Sequence, residues 1–276
     1  MTTVVDWVDF TSAATFAGGH PWAAYARLRA TAPVAWHPEA DGPGFWTIAK
    51  WDDVRTISRQ PQRFSSAAGG VMMPTPDPAN LAVQRLMMLN MDPPQHDRFK
   101  LLVSGGFTPR AAIELAARIG ALAAEIVGAV SERGECDFVT DIAGRLPSGL
   151  IAELMGIPRA DGERLYELTE LMHTTDGAVA PVERRVAAVG EMLAYAASVA
   201  RDKRANPGHD LASVLVDAEV DGGRLTDDEF CWFFLLLVNA GGDTTRNLVA
   251  AGLALLFEHP GERARLCADQ IGRAHV

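Results

Sequence analysis

Between its proline and glycine breaks, the chain carries mostly helical periodicity. His20-Pro21 opens a short helix through Tyr25 and Leu28. Two apolar stretches, Val34–His37 and Phe45–Ile48, flank the turn-rich Pro38-Glu39-Ala40-Asp41-Gly42-Pro43-Gly44 and predict a hairpin with a long loop. Trp51–Arg59 reads as another short helix. Ser65–Asn80, rich in glycine and proline, reads as a long loop, and loops of that length inside a compact domain are usually functional lids or disordered. Beyond it the pattern is almost wholly helical. Asp92-Pro93-Pro94-Gln95 has the form of a helix start, with an acid at the N-cap and proline in the first turn. Thr108-Pro109 starts a helix running through Ile113, Leu115, Ile119, Leu122 and Ile126. Further helices are predicted around Ile142–Met155, Asp161–Met172 and Pro181–Arg204, the last closed by Asn206-Pro207-Gly208. The expected fold is mainly α with a small β-sheet near the N-terminus.

One predicted helix conflicts with its own local rules. Thr226-Asp227-Asp228-Glu229 is a capping box with acids at the positive helix end. Apolar residues then surround the helix from Phe230 to Val238, which predicts full burial. In the middle stands Asn239-Ala240-Gly241-Gly242-Asp243-Thr244-Thr245-Arg246-Asn247, after which apolar residues resume through Leu253, Leu255, Leu256 and Phe257. Glycine in a helix interior costs roughly 1 kcal/mol relative to alanine. A buried acid costs more unless it is paired or protonated. Such conflicts concentrate at functional sites. Asp243 and Thr244 place a proton carrier beside a hydroxyl, and the glycines let a ligand or a neighbour approach the backbone. A structural reading stands beside this one: the glycines ease a helix crossing, and Asp243 pairs with Arg246 or hydrogen-bonds Asn247.

Composition narrows the function classes. The 276 residues are 48% hydrophobic and 22% charged, with 25 Lys+Arg against 35 Asp+Glu and a net charge of −10. A chain this acidic is poorly suited to nucleic acid or an anionic membrane. Cys136, Cys231 and Cys267 are too few and too scattered for a disulfide framework or a paired-cysteine metal site, and they fit a reducing cytoplasm. MTTVVDWVDF lacks the basic start of a signal peptide. The longest apolar run, Phe230–Val238, is far short of the ~20 residues that span a bilayer. The expectation is a cytoplasmic, soluble protein.

Two blocks carry a family resemblance. AGGDTT (Ala240–Thr245) resembles the oxygen-binding central helix of the cytochrome P450 family, and EHP (Glu258–Pro260) follows as in its bacterial members. Leu89-Asn90-Met91-Asp92-Pro93-Pro94-Gln95-His96-Asp97-Arg98-Phe99-Lys100, continuing to Ser104-Gly105-Gly106-Phe107-Thr108-Pro109-Arg110, is similar to the family's haem-flanking helix and the start of the next one. The resemblance covers residues 1–270 and implies a truncated cytochrome P450-like fold. It implies that His96 bonds a haem propionate, and that Lys100 stands where the family usually has arginine. Lysine keeps the charge but loses the bidentate fork, so the grip on the propionate is weaker. It implies that Asp243 and Thr244 relay protons to bound dioxygen, and that Ala240 and Gly241 leave room for that dioxygen at a helix kink. Met72, Met73 and Leu89 fall in or near the segment that roofs the substrate, where core packing is an equal reading. The implied activity is haem-thiolate monooxygenation of an apolar small molecule. Electrons would come from an external ferredoxin- or flavodoxin-type donor, for which Arg98, Lys100 and Arg110 are candidate contacts. Gly44-Phe45-Trp46-Thr47-Ile48 and Thr244-Thr245-Arg246-Asn247 are similar to members acting on sterols or long-chain lipids.

The resemblance also implies features that the sequence does not show. The family's glycine-flanked cysteine loop, which supplies the axial ligand of haem b, occurs nowhere, and none of the three cysteines has its setting. Glu262-Arg263-Ala264-Arg265 fits the family's E-x-x-R pattern but follows His259-Pro260 too closely to be that motif. The last six residues, Ile271-Gly272-Arg273-Ala274-His275-Val276, resemble translated sequencing-adapter sequence. The expectation is therefore a partial cytochrome P450 domain over 1–270 with a non-native tail at 271–276. The alternative is a non-catalytic helical protein that binds an apolar ligand; an acidic helical interaction module has only net charge in its favour.

Overall fold

The computed structural model describes residues 3–40, 42–69, 78–104, 109–174, 177, 179–220 and 223–268. Met72, Met73, Gly105–Thr108 and the 271–276 tail, all singled out above, lie outside the described residues. The chain divides into two compact units, Met1–Leu101 and Leu102–Val276.

The first unit contains α1 (Ala13–Phe16), α2 (Trp22–Thr31), β1 (Val34–His37), β2 (Phe45–Ile48), α3 (Trp51–Ser58), α4 (Ser66–Gly69), α5 (Pro78–Gln84) and a 3₁₀ turn at Met88–Asn90. It ends in α6 (Gln95–Ser104), which crosses the boundary. The hairpin forms as the pattern predicts, antiparallel with Val34 opposite Ile48 and Trp36 opposite Trp46. The two tryptophan rings meet edge to face at 5.3 Å. Gly44 has φ +78°, and a Cβ there would lie 2.6 Å from the Trp36 ring and 2.8 Å from the His37 carbonyl. Only glycine closes this turn without strain. Val5, Leu28, Ala32 and Ala35 form a small core behind the hairpin.

Two expectations change here. The segment Ser65–Asn80 is not wholly loop, since α4 and the start of α5 fall within it. Asp92 does not cap α6 with its side chain. Its carboxylate accepts from Ser65 Oγ at 2.5 Å, Ser66 N at 2.8 Å and Ala67 N at 3.4 Å, at the start of α4. Ser65 first, then these backbone donors, hold it below the usual carboxylate range. Pro93 and Pro94 have no N–H to offer, which leaves Gln95 N as the sole capping donor of that turn, whereas the start of α4 offers a hydroxyl and two N–H groups.

The second unit is a helical assembly: α7 (Pro109–Ser131), a π-helical turn (Val139–Ala143), α8 (Arg145–Met155), α9 (Arg159–His173), α10 (Val182–Ala205) and α11 (Leu211–Asp217). A short hairpin, β3 (Glu219–Val220) and β4 (Gly223–Arg224), precedes the long α12 (Asp227–Glu258) and α13 (Pro260–Ala268). α11 and this hairpin are too short for a periodic signal and escaped the sequence reading. α12 packs against α8, α9, α10 and α11. Its first half is buried through Phe230, Cys231, Phe233, Phe234, Leu235 and Val238, as the all-round apolar pattern predicts. The capping box is present: Glu229 N donates to Thr226 Oγ1 at 3.2 Å, and Thr226 N donates to Glu229 Oε2 at 2.8 Å. Among the described residues no helix is long and apolar enough to cross a membrane.

Close helix contact fixes the α8–α9 crossing. A Cβ on Gly162 would lie 2.7 Å from the Ser148 carbonyl oxygen and 2.8 Å from the Ala152 Cβ, neither of which can swing aside. We expect Gly162→Ala to lose about 1–3 kcal/mol, the cost of overpacking, despite alanine's better helix propensity. Urea unfolding of the variant checks this; unchanged stability would show that the crossing is slack.

Candidate functional site

The polar break in α12 sits inside a continuous helix of 32 residues. Tertiary packing on both sides explains why the two glycines do not break it. A Cβ on Gly241 would lie 2.7 Å from Ile151 Cδ1 of α8, and the buried Gly242 faces Tyr166 of α9, whose Cδ2 would be 3.9 Å from an added Cβ. The two glycines thus admit close neighbours, Ile151 beside Gly241 and Tyr166 beside Gly242. Beside them Thr169 Oγ1 of α9 lies 3.0 Å from the Leu165 carbonyl and 3.0 Å from Asn239 Oδ1, tying the two helices just before the break.

Asp243 and Thr244 have different surroundings. Thr244 is exposed, and its Oγ1 donates to the Ala240 carbonyl one turn back at 2.7 Å. Ala240 is exposed on the same side, followed at helical spacing by Leu248 and Leu255, which are 73% and 54% exposed. Asp243 lies towards the packed side. Its Oδ1 accepts from Arg246 Nη2 at 2.5 Å. Arg246 Nη1 donates to Tyr166 Oη at 2.9 Å and pairs with Glu170, while its Nε donates to Asn247 Oδ1 at 3.2 Å. Burial raises the Tyr166 pKa, against the opposing hydrogen bond from Arg246, so the phenol stays protonated. Tyr166 and Glu170 were not legible as site residues. They lie 80 and 76 positions before Arg246, and the only sequence hint was a charge at 246 that needed a partner.

In the first unit, His96 and Lys100 sit four residues apart on α6, where helical spacing puts them on one face. His96 is partly exposed and its Nδ1 lies 3.2 Å from Asp97 Oδ1; Lys100 is exposed. Phe99 between them is buried and anchors the helix. Leu89, the described member of the predicted roof, is 51% exposed. Cys231 is buried near the start of α12, and burial, then Asp228 and Asp227, push its thiol up; Cys136 and Cys267 are exposed. Arg265 Nη1 donates to Glu262 Oε2 at 2.7 Å within α13, an exposed local pair.

No protein-family model matches the chain. A steroid C26-monooxygenase of Mycobacterium tuberculosis is 36% identical, with 96% of this chain and 65% of that protein aligned. A methyl-branched lipid omega-hydroxylase of the same species is 35% identical over 91% of this chain and 61% of its own length. Among solved structures, a Mycobacterium marinum cytochrome P450 in complex with pseudoionone superposes with a TM-score of 0.86 at 35% identity, over 96% of this chain and 67% of that one. The chain belongs to the cytochrome P450 family. It spans about three fifths to two thirds of the length of the curated cytochrome P450s it matches.

Membership implies haem as the cofactor. Each unit, taken by itself, offers residues of a kind that fits part of such a group. His96 and Lys100 are two accessible nitrogen donors on one helical turn, neither drawn into a buried ion pair, as a pair of propionates requires. The Ala240–Thr244 side of α12 offers small residues and one hydroxyl, followed by exposed apolar side chains, which suits a flat apolar ring.

Proposed function

We propose that the protein is a haem-dependent monooxygenase hydroxylating an apolar small molecule of the sterol or long-chain lipid type. Electrons come from an external ferredoxin- or flavodoxin-type donor, and the protein works in the cytoplasm. The observation that carries this reading is the separation within α12 of a hydroxyl on an exposed apolar face from a paired carboxylate one residue earlier. The activities for which the relatives are named, steroid C26-monooxygenase and methyl-branched lipid omega-hydroxylase, support the substrate class. Residues 1–270 are proposed as one partial cytochrome P450 domain and 271–276 as a non-native tail.

Bound haem supplies dioxygen activation. The overall conversion inserts one oxygen atom of dioxygen into a C–H bond and releases the other as water, consuming two electrons and two protons. Those protons define the work of the α12 residues. Thr244 Oγ1, already donating to the Ala240 carbonyl, holds a proton at the surface of the apolar face. Asp243 is the carboxylate that brings protons from the polar side. His96 and Lys100 would hold the propionates of a bound haem. Within α12, Ala240 would leave space beside the hydroxyl. Cys231 is buried near the start of α12, 12 or more residues before Asp243, and Cys136 and Cys267 lack the glycines of a porphyrin-approaching loop. None of the three cysteines thus has the setting of a haem-ligating thiolate.

Lysine at position 100 gives a further expectation. Lys100→Arg restores a bidentate fork and should slow haem transfer to apomyoglobin severalfold, while His96→Ala should accelerate it. Equal transfer rates in all three proteins would remove both residues from the cofactor site. The function itself is tested with the full-length gene product, a generic ferredoxin–reductase pair and a panel of sterols and long-chain lipids. Hydroxylated product is expected from at least one class. Tight binding without product would favour a non-catalytic carrier of apolar ligands.

A further inference from the structure

The cluster around Arg246 goes beyond an ion pair, because one guanidinium serves two carboxylates from two helices. Arg246 is 16% exposed at its side chain, Asp243 30% and Glu170 39%. Nη2 serves Asp243, Nη1 serves Glu170 and Tyr166, and Nε serves Asn247, so every guanidinium nitrogen is engaged. The Tyr166 ring is fixed in turn: its Oη would lie 2.8 Å from a Cβ on Gly144, and Gly242 faces its edge. Consecutive helical residues point about 100° apart. An Asp243 carboxylate held by Arg246 is therefore turned away from the face that presents Thr244.

We infer that Arg246 is a positioning residue for Asp243, and that Glu170 and Tyr166 of α9 set how readily Arg246 releases it. The inference rests on the monooxygenase reading above. A half-buried arginine stripped of its only carboxylate is costly. Here Glu170 and the Tyr166 hydroxyl keep Arg246 compensated after Asp243 turns towards Thr244, so release loses one hydrogen-bonded contact without orphaning a charge. The repulsion between the two carboxylates also favours release. Neutralising Glu170 makes Asp243 the sole carboxylate partner and holds it more tightly, whereas removing Arg246 sets Asp243 free.

The two changes have opposite effects on proton delivery, which a purely structural role does not produce. In the full-length haem-loaded protein, Glu170→Gln is expected to slow hydroxylation severalfold and enlarge its solvent deuterium isotope effect. Arg246→Gln is expected to shrink that isotope effect, with Arg246→Lys between it and the parent. A second readout needs no turnover: a thermal-unfolding double-mutant cycle between Asp243→Asn and Arg246→Gln, run with Glu170 intact and with Glu170→Gln. The 243–246 coupling should be larger when Glu170 is neutral. Isotope effects moving in the same direction in the Glu170 and Arg246 variants, or a coupling unaffected by Glu170, would overturn the inference. A parent protein that shows the Glu170-dependent coupling yet hydroxylates nothing would count against the monooxygenase reading and leave the α9 control of Asp243 standing.

Discussion

Lys203→Met should lower the stability of the helical unit by about 3–5 kcal/mol, the range for breaking one side of a buried ion pair. Lys203 on α10 is 10% exposed at its side chain, and its Nζ donates to the Gly156 carbonyl at 2.7 Å and to Asp210 Oδ2 at 2.8 Å. Asp210, 13% exposed, is also the N-cap of α11, accepting from Ser213 N at 2.9 Å. One ammonium thus ties the C-terminus of α8, the start of α11 and α10 together. Methionine fills the space of the stem but leaves a carboxylate and a carbonyl without their donor. Asp210→Asn in the same background should recover part of the loss, since the amide keeps an acceptor for Ser213 and carries no charge.

The pH dependence follows with a definite sign. Burial alone would raise the Asp210 pKa, but Lys203 and Ser213 outweigh it and the net shift is downward. A depressed carboxylate stabilises the fold above its unfolded value of about 4 and loses that contribution as pH falls through the folded value. Unfolding by urea at neutral pH and on acidification checks both statements. A loss below about 1 kcal/mol for Lys203→Met would mean that water already compensates Asp210.

Thr244→Ala is the second large effect, and it should appear in turnover and not in stability. Proton transfer by a positioned group contributes about 10²–10⁴-fold, so hydroxylation in the full-length protein should fall by roughly 10²-fold or more. Electron consumption should continue without matching product. The thermal midpoint should stay or rise slightly, because among the described residues the exposed hydroxyl bonds only a carbonyl of its own helix and alanine is the better helix former. Thr244→Ser, which keeps the hydroxyl, should retain most activity. Equal hydroxylation by Thr244→Ala and the parent would remove Thr244 from the proton path.

What the sequence disclosed follows the range of each interaction. The hairpin of β1 and β2 and the capping box at Thr226 were readable because their determinants lie within a few residues. The conflict of rules at Asn239–Asn247 was also readable, as a place where local cost is accepted. Its resolution was not. Ile151 against Gly241, Tyr166 against Gly242 and Glu170 on Arg246 are contacts across 76 to 90 positions, and only the fold brings them together. The two glycines stay within the helix because α8 and α9 pack closely enough on them to offset about 1 kcal/mol each. Asp92 was misplaced for a local reason, the missing N–H groups of Pro93 and Pro94. His96 and Lys100 look like ordinary helix-surface residues in composition and periodicity, and only the family resemblance singled them out.

The central claim, that the protein inserts one oxygen atom of dioxygen into an apolar substrate, is tested most directly with isotope-labelled dioxygen. The full-length gene product, loaded with haem and supplied with electrons, is given a sterol and a methyl-branched lipid under that gas, and the products are weighed by mass spectrometry. One labelled oxygen atom per hydroxylated product is the expected result. Oxygen drawn from water, or no oxygenated product from either substrate class while haem is bound, would contradict the account.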